Sequence, residues 1–361
     1  MCSTSSVRKG VLMRAIDADA HVIESMSTWD LVAREAPRDM PMITQRVSGR
    51  EILNSEGHVQ QEFWVINGRV HNRDRNVGAN TTEDSREMRD VTARLEHMDA
   101  LDIEVQVLFP TLLLRPIADN ARLDYILCKS YNRWLAGIWK QGGGRLRWAA
   151  APPLRAMDKL GDELRFARDN GACAVFMRPL ECELPLSDEY FFPLYELASE
   201  LDLAICVHLG NGSFAVHDFY TRDTTFTKFK LPMLGALHSL LMAEIPAKFP
   251  RLRWGVIEAS SDWLPFLVAD LRQRFLKQGK RLPENVLAAN RVYVTCQTYD
   301  DLPNVLRVAG EDNLVIGTDY GHADFSSEIE AIRLLQDKDG VSRDAVRKIL
   351  WDNAKALYGL A

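Results

Sequence analysis

The chain has 361 residues, of which 47% are hydrophobic and 26% charged, and its formal net charge is -6 at pH 7. This composition excludes collagen, coiled-coil and disordered proteins, while the length suits one large α/β barrel or two domains. Basic residues are mixed with acidic ones, so we expect no nucleic-acid partner. No stretch reaches the roughly 18 apolar residues of a membrane span, so we expect no membrane partner either.

The N-terminal stretch MCSTSSVRKGVLMRAIDADA has no apolar signal-peptide core before its acids begin. Six cysteines, at positions 2, 128, 173, 182, 206 and 296, form no C-x-x-C pair, and several lie in apolar runs. Such cysteines are typical of reduced core residues, and we therefore expect a cytoplasmic protein.

Eight short β-rich runs follow one another along the chain, separated by helical patterns. They are Met13–His21, Ile103–Thr111, Arg145–Leu154, Ala172–Leu180, Leu203–Gly210, Leu252–Ser260, Arg291–Gln297 and Asn313–Gly321. Most of their residues are apolar, which is typical of a parallel sheet covered on both faces. Segments such as RDVTARLEHMDALD and AMDKLGDELRFARDNGA have the apolar spacing of helices between them. The pattern predicts an α/β fold, a (βα)8 TIM barrel formed by one domain over 1–361.

The segment 28–90, between the first two strands, is too long and too polar for one crossover helix. It contains a predicted hairpin, EFWVINGRVH, which turns at Asn67 and Gly68. We interpret it as an insertion over the barrel mouth, with 72–85 as either a mobile lid or a solvated loop. In the next helix, Trp134 and Trp139 suit either a homodimer face or ordinary packing of a helix on the barrel.

Residues that can bind a metal end four of the predicted strands or follow them closely. They are Asp17, Asp19, His21 and Glu24, then His208, then Glu258, and finally Asp319 and His322. In a TIM barrel these strand ends meet at one mouth, where the active site lies. Carboxylates gathered there would repel one another without a positive charge among them.

A divalent metal would supply that charge. Asp19, His21, His208 and Asp319 form a predicted ligand set of nitrogen and oxygen donors. Alone, a strand-end histidine is more often a hydrogen-bonded core residue, and a lone aspartate a helix cap. Four strands ending in such residues at one rim favour the metal site, and they argue against a barrel that serves only as a binding module.

Several stretches, in this order, resemble the amidohydrolase superfamily, and within it the group of aminocarboxymuconate semialdehyde and resorcylate-type decarboxylases. They are IDADAHVIE, LEHMDALDIEVQVLFPT, ICVHLG, FPRLRWGVIEASSDWLPFL and NLVIGTDYGHADF. The resemblance implies a metal-dependent barrel enzyme that acts on a small-molecule substrate. It places Asp19 and His21 at the first-strand ligand motif, His208 at the strand-five ligand position, and Asp319 at the strand-eight position.

Glu258 departs from this family pattern. The related decarboxylases commonly have a histidine followed by glycines after strand six, whereas this chain has VIEASSDW. Glu258 could act as a general base, bind a second metal, or pair with a nearby arginine. Asp319 is the other candidate for moving a proton.

Glu24, Glu258 and His322 together could hold a second metal. A donor set this rich in oxygen favours Mn or Fe over a closed structural zinc site. The cofactor is therefore predicted to be one or two divalent ions, Zn, Mn or Fe. Glu24 could equally cap the segment that begins near Ser25.

Arg178 and His238 are the candidate substrate-binding residues. Arg178 ends the fourth strand, where its guanidinium could bind a substrate carboxylate or pair with acids of the rim. His238 lies in a helical stretch and is the weaker candidate, with a core or surface position as the alternative. His58, His71 and His217 fall in loops, from which a lid could touch substrate.

The sequence thus favours hydrolysis or non-oxidative decarboxylation that uses metal-activated water or a metal-polarised substrate. The resemblance also leaves open a non-heme dinuclear oxygenase, a monooxygenase that hydroxylates a small substrate.

Overall fold

The structure is a computed structural model that describes residues 14–45, 52–53, 59–74, 77–220 and 226–361. Eight parallel strands form one sheet: β1 Ala15–Val22, β2 Ile103–Pro110, β3 Leu146–Ala150, β4 Ala172–Met177, β5 Ala204–His208, β6 Trp254–Ile257, β7 Val292–Cys296 and β8 Leu314–Ile316. They pair in chain order from β1 to β8. The sheet closes where His21 N donates to Tyr320 O at 3.0 Å and Asp319 N to Asp19 O at 2.9 Å. The predicted TIM barrel is confirmed.

Helices cover the barrel and occupy its loops. They are α1 Asp30–Glu35, α2 Glu83–Arg86, α3 Val91–Ala100, α4 Ala121–Gln141, α5 Leu160–Asp169, α6 Phe192–Glu200, α7 Phe214–Phe219, α8 Leu231–Met242, α9 Ile245–Lys248, α10 Leu264–Lys277, α11 Val286–Ala289, α12 Leu302–Ala309, α13 Ala331–Gln336, α14 Arg343–Arg347 and α15 Asn353–Tyr358. Short 3₁₀ turns lie at Met26–Trp29, Pro37–Asp39, Leu112–Leu114, Met157–Lys159 and Glu189–Phe191, and π-helical turns at Phe226–Lys230 and Lys348–Asp352.

The strands read as apolar runs because helices cover their outer faces and neighbouring strands fill the interior. All residues of β1, β4, β5 and β6 are buried. Trp148 and Trp254 are buried against the helical layer, each about 1% exposed. In α4 the Trp139 ring packs on Gly171, where a Cβ would lie 2.3 Å from the indole. That contact is ordinary helix-on-barrel packing, and the homodimer face stays a prediction.

The segment after β1 contains strands of its own, outside the barrel. Met42–Gln45, Glu62–Ile66 and Arg69–Asn72 form an antiparallel sheet, and Ile52–Leu53 pairs with Val59–Gln60. The predicted hairpin is confirmed: Asn67 and Gly68 have φ of 49° and 72°, the left-handed geometry of a two-residue turn.

Past the hairpin, the chain lies on the barrel mouth. Gly78 N donates to Gly321 O at 2.9 Å, and a Cβ on Gly78 would lie 2.5 Å from His322 O. Residues 75–76 of the predicted lid, and His58, lie outside the described residues. The described cysteines carry free thiols. Within the described residues, no helix is both long and apolar enough to cross a membrane.

Candidate metal centre and active site

Alternation along β1 sends Asp17, Asp19 and His21 to the barrel interior, but at different depths. Asp17 accepts hydrogen bonds from Gln106 Nε2 at 2.8 Å and from Thr318 N and Oγ1 at 2.9 and 2.7 Å. Burial raises the pKa of Asp17 to about 6. The Asp17 carboxyl group thus links β1 to β2 and to the chain after β8 by hydrogen bonds. Asp19 and His21 lie nearer the mouth.

The imidazoles of His21 and His208 turn the same nitrogen toward a common point. His21 Nδ1 lies 3.0 Å from Pro110 O, and His208 Nδ1 lies 3.0 Å from Leu209 O. Because a carbonyl oxygen only accepts, each Nδ1 carries a proton, which leaves Nε2 as the nitrogen that can present a lone pair to a metal. Those two Nε2 atoms are 3.1 Å apart. Asp19 Oδ1 lies 3.2 Å from the nitrogen of His208 and 3.6 Å from that of His21.

Three electron-rich atoms facing one another at these distances fit one divalent cation. Ligand atoms about 2.1 Å from a metal are roughly 3.0 Å apart at octahedral angles and 3.4 Å at tetrahedral angles. Carbonyl oxygens on the far side of both rings are the usual second-shell partners of metal-binding histidines. Burial, with His322 and His208 nearby, holds the pKa of His21 well below its usual value, which keeps the ring neutral.

Asp319, the fourth predicted ligand, belongs to an adjacent group. The described residues form three overlapping candidate groups: Asp19, His21 and His208; His21, Asp319 and His322; Glu258, Asp319 and Asp324. Asp319 Oδ1 is 3.4 Å from His21 Nε2 and 2.7 Å from His322 Nδ1. Its Oδ2 accepts from Ser327 Oγ at 2.6 Å. The four predicted ligands are thus brought together, but not into a single group.

Two buried atoms in the second group lack a hydrogen-bond partner. They are Asp319 Oδ1 and His322 Nδ1, whose short contact is off the line of a hydrogen bond. Burial raises the pKa of Asp319 to about 7. Against the cost of its own burial, the Asp319 carboxylate raises the pKa of His322 to about 9. Asp319 also has φ of 52°, a strained backbone for an aspartate, as is common at functional sites. A buried carboxylate oxygen without a hydrogen bond fits a bound cation, which would also displace the proton that Asp319 otherwise favours on His322.

Glu258 follows β6 and has a left-handed φ of 65°. Its Oε2 is 3.4 Å from His208 Nδ1, and its Oε1 accepts from Ser326 Oγ at 2.7 Å. Burial, together with the carboxylates of Asp319 and Asp324, raises the pKa of Glu258 well above its ordinary value. Glu258 therefore belongs to the third candidate group and also contacts His208 of the first group.

Asp324, Ser326 and Ser327 were not singled out from the sequence. They follow β8 in a loop, where Asp324 Oδ1 accepts from Ser326 N at 2.9 Å. It also lies 2.8 Å from Ser326 Oγ, whose single proton is shared between Asp324 and Glu258. Ser326 contacts Glu258, and Ser327 contacts Asp319. Asp324 lies inside the predicted ligand stretch GTDYGHADF, and Ser326 and Ser327 follow it directly. That position was the available signal, since the loop conformation itself has no local pattern.

Glu24 is not in any candidate ligand group of the described residues. Its two carboxylate oxygens accept from Thr111 N at 3.1 Å and Leu112 N at 2.8 Å. Burial raises the pKa of Glu24 to about 7. Glu24 therefore caps the turn after β2. The sequence had suggested a capping role as well, but for the segment that begins near Ser25.

His238 does not reach the mouth. It lies on α8, and its Nε2 is 3.0 Å from Asp270 Oδ2 on α10, in the outer helical layer. The prediction that His238 binds substrate is therefore wrong. Its position in a helical stretch did not show which face of the helix it would occupy.

Arg178 does lie at the mouth, where it ties loops together. Its Nε and Nη2 donate to Glu181 at 2.8 and 2.6 Å, and Nη1 donates to Leu113 O and Arg115 O at 3.0 and 2.7 Å. This is the ion pair with a rim acid that the sequence left open. Arg178 also lines a cavity with Leu113 and Phe176. The Phe176 ring lies 6.1 Å from that of His208, so the cavity adjoins the candidate metal centre.

The barrel and the cluster of histidines and carboxylates at its mouth define a class: TIM-barrel enzymes with a candidate metal centre at the strand ends. The family model described as Amidohydrolase matches residues 16–360. The chain therefore belongs to the amidohydrolase family and is an enzyme, as the resemblance in its sequence implied.

Solved structures with the same fold agree with this assignment. An amidohydrolase from Mycobacterium avium subsp. paratuberculosis is 20% identical, with a TM-score of 0.75 over 98% of this chain and 99% of that chain. The Metarhizium anisopliae IDCase is 15% identical, with a TM-score of 0.67 over 96% and 97%. A 5-carboxyvanillate decarboxylase from Novosphingobium aromaticivorans, complexed with manganese and 4-hydroxy-3-methoxy-5-nitrobenzoic acid, is 20% identical, with a TM-score of 0.62 over 74% of this chain and 79% of that chain. No curated protein sequence gives a significant match.

Proposed function

We propose that the protein is a metal-dependent enzyme that acts on a small organic substrate by non-oxidative decarboxylation or hydrolysis. One observation carries the proposal: the Nε2 lone pairs of His21 and His208 face each other at 3.1 Å, beside the Asp19 carboxylate. Without a positive charge among them, two imidazole lone pairs and a carboxylate would repel one another, and a divalent cation would remove the repulsion. The manganese complex of the decarboxylase from Novosphingobium aromaticivorans supports this choice of cofactor.

Asp19, His21 and His208 would hold the ion, with Asp319 next to them. Nitrogen and carboxylate donors without a thiolate suit Zn, Mn or Fe. When bound, such an ion polarises a substrate carbonyl or carboxylate and lowers the pKa of water. The cavity beside Phe176 gives an apolar wall for the substrate on the β2–β5 side of the mouth.

Glu258 would move the proton in this reaction. It lies 3.4 Å from His208, and Ser326 fixes its orientation. In decarboxylation, the carbon that loses carbon dioxide needs a proton, which a protonated Glu258 would donate. In hydrolysis, an ionised Glu258 would take a proton from water and pass it to the leaving group. Asp319, held by Ser327, is the second candidate for this proton transfer.

The test combines metal analysis, product analysis and one variant. Purified protein should contain a divalent metal, and the loaded enzyme should release carbon dioxide from an aryl carboxylic acid or hydrolyse an amide or ester. Glu258→Gln keeps the side-chain shape but not the proton. We expect kcat to fall about 100-fold or more while the first ion is retained. Ser326→Ala, which removes the hydroxyl contacts with Glu258 and Asp324 but keeps the Glu258 carboxyl group, should cost less. Protein that binds no divalent metal would overturn the proposal.

A second candidate function is a dinuclear, dioxygen-dependent hydroxylase. The observation that favours it is the group of Glu258, Asp319 and Asp324, which offers oxygen ligands beside the first group. Two Fe or Mn ions per chain and oxygen consumption with substrate would support the hydroxylase. One ion per chain without oxygen uptake would exclude it.

A further inference from the structure

One cavity adjoins the candidate metal centre, between the loops that follow β2 to β5. Phe176 lines it, and the Phe176 ring lies 6.1 Å from that of His208. Apolar side chains of the loops after β2 and β3, among them Ile117 and Leu154, form much of the remaining wall. A substrate that reacts at the metal centre therefore has room for part of its carbon skeleton in this cavity.

Two of the charged residues in the cavity wall neutralise each other. Arg178 Nε and Nη2 donate to the Glu181 carboxylate at 2.8 and 2.6 Å. Arg178 Nη1 donates to Leu113 O and Arg115 O at 3.0 and 2.7 Å. Because every nitrogen of this guanidinium is engaged within the protein, the pair serves as part of the wall.

Arg155 lines the same cavity without such a partner. Its side chain is partly buried, and among the described residues its guanidinium has neither an ion pair nor a hydrogen bond. The guanidinium carbon lies 5.8 Å from the centroid of the Phe214 ring. A guanidinium has five N–H donors in a planar fork that matches the two oxygens of a carboxylate. Arg155 therefore brings a positive charge with available donors to a cavity beside the metal centre.

Hydrogen bonds hold the backbone around Arg155 in place. Arg155 N donates to Asp124 Oδ2 of α4 at 2.8 Å, and Ala156 N donates to Pro153 O at 2.9 Å. Burial raises the pKa of Asp124 to about 6, and Arg155 acts on it less than Arg178 does. Asp124 thus holds the main chain of Arg155 and does not pair with its guanidinium. A binding group on a loop that is already ordered loses little entropy when a ligand arrives.

We propose that Arg155 binds a carboxylate of the substrate that is remote from the reacting bond, while the carbon skeleton lies in the cavity that Arg155 and Phe176 both line. The inference rests on the proposed function, since the other end of the substrate reacts at the metal centre. For decarboxylation the substrate is then a dicarboxylic acid, and for hydrolysis it is an acid that contains an amide or ester bond. Since a guanidinium binds a carboxylate through two parallel hydrogen bonds, Arg155 would select acids over uncharged compounds of the same shape.

Calorimetric titration of the metal-loaded protein tests this role of Arg155. The probes are the straight-chain dicarboxylates from succinate to pimelate, each compared with the monocarboxylate of equal chain length. We expect at least one dicarboxylate to bind about tenfold tighter than its monocarboxylate, the gain from one charge-assisted pair. Arg155→Gln should remove that gain and leave the affinity for the monocarboxylate and the metal content unchanged.

Arg274→Gln is the matched control, because that arginine is 55% exposed and pairs with Asp270 on the outer helix α10. It should keep the preference for the dicarboxylate, and thermal unfolding should show that both variants are folded. If no dicarboxylate binds tighter than its monocarboxylate, or if Arg155→Gln binds the dicarboxylate with full affinity, the inference is overturned. If protein that holds no metal still binds the dicarboxylate through Arg155, only the proposed function fails.

Discussion

Asp319 is the residue on which the candidate ligand groups converge, because it contacts both His21 and His322 and belongs to the group with Glu258. Replacing it with alanine should remove the metal and the activity but leave the barrel folded. Loss of a direct ligand should weaken metal affinity roughly 100-fold or more, beyond what second-shell changes cause. Metal content per chain, together with circular dichroism, measures both parts.

Asp270→Ala is the control for this prediction, since that carboxylate pairs with His238 and Arg274 on the outer helices. It should retain its full metal content. If Asp319→Ala still holds metal as the unchanged protein does, the assignment of Asp319 as a ligand is wrong.

The low pKa of His71 predicts how the stability of the protein depends on pH. Its pKa is about 3 in the folded protein because of burial and the charges of Arg115, His217 and Arg69, with Asp218 opposing them. An unfolded chain binds a proton at this histidine near pH 6.5, whereas the folded protein does not. Stability from His71 is therefore present above pH 6.5 and is lost as pH falls toward 3.

Between pH 6.5 and 5 this loss amounts to about 2 kcal/mol at most. His71→Gln should remove it, so the free energy of unfolding of the variant should depend less steeply on pH over that range. Urea unfolding at pH 7, 6 and 5 measures the slope. Equal slopes for the two proteins would show that His71 titrates alike in the folded and unfolded states.

The sequence could indicate which strand ends carry ligand-type residues, because a TIM barrel brings all its strand ends to one mouth. Asp19, His21, His208 and Asp319 followed from that rule alone. Asp324 and Ser326 could not be predicted in the same way, since a loop after β8 folds them back onto Glu258 through side-chain hydrogen bonds. His238 was predicted at the site but lies outside it. The helical pattern around His238 does not show that it will pair with Asp270 of a neighbouring helix.

At the scale of elements, the chain just after β8 packs closely against β1 beside the site. A Cβ on Gly317 would lie 2.2 Å from Asp19 Cβ and 2.8 Å from Asp19 N. Gly317→Ala must therefore push the two strands apart and displace Asp19. We expect a loss of about 1–3 kcal/mol in the free energy of unfolding, the usual cost of overpacking, together with weaker metal binding.

Gly235→Ala is the matched substitution, in the middle of α8, where a Cβ would meet nothing within 4 Å. Because alanine favours a helix over glycine by about 0.5–1 kcal/mol, this variant should be slightly more stable than the unchanged protein. Urea unfolding of both variants decides the point. Equal stability of the two would mean that β1 and β8 tolerate the extra methyl group.

The elements differ in how far the sequence determines them. Strands β1 to β8 were predicted because helices and neighbouring strands bury both of their faces, so each reads as an apolar run. The hairpin was predicted from Asn67 and Gly68, whose positive φ angles the turn requires. The second strand pair of the insertion was missed because it is only two residues long on each side, too short for any alternation to appear.

Across the whole molecule, a net charge of -6 conceals how closely some of the acids are gathered. Glu258, Asp319 and Asp324 form one group at the ends of β6 and β8, and Asp19 lies with His21 and His208 at the ends of β1 and β5. Such a concentration of carboxylates at one mouth attracts a cation.

The candidate metal centre joins strands that are far apart in the chain, because its groups come from β1, β5 and the ends of β6 and β8. Chelation should therefore destabilise the barrel as a whole. A metal present at about 1,000 times its Kd stabilises the folded state by about 4 kcal/mol, which a chelator would remove. Thermal unfolding with and without chelator, and after metal is returned, measures the effect. The unfolding temperature of Asp319→Ala should respond far less to chelator. If the unchanged protein unfolds at the same temperature with and without chelator, no ion bridges these strands.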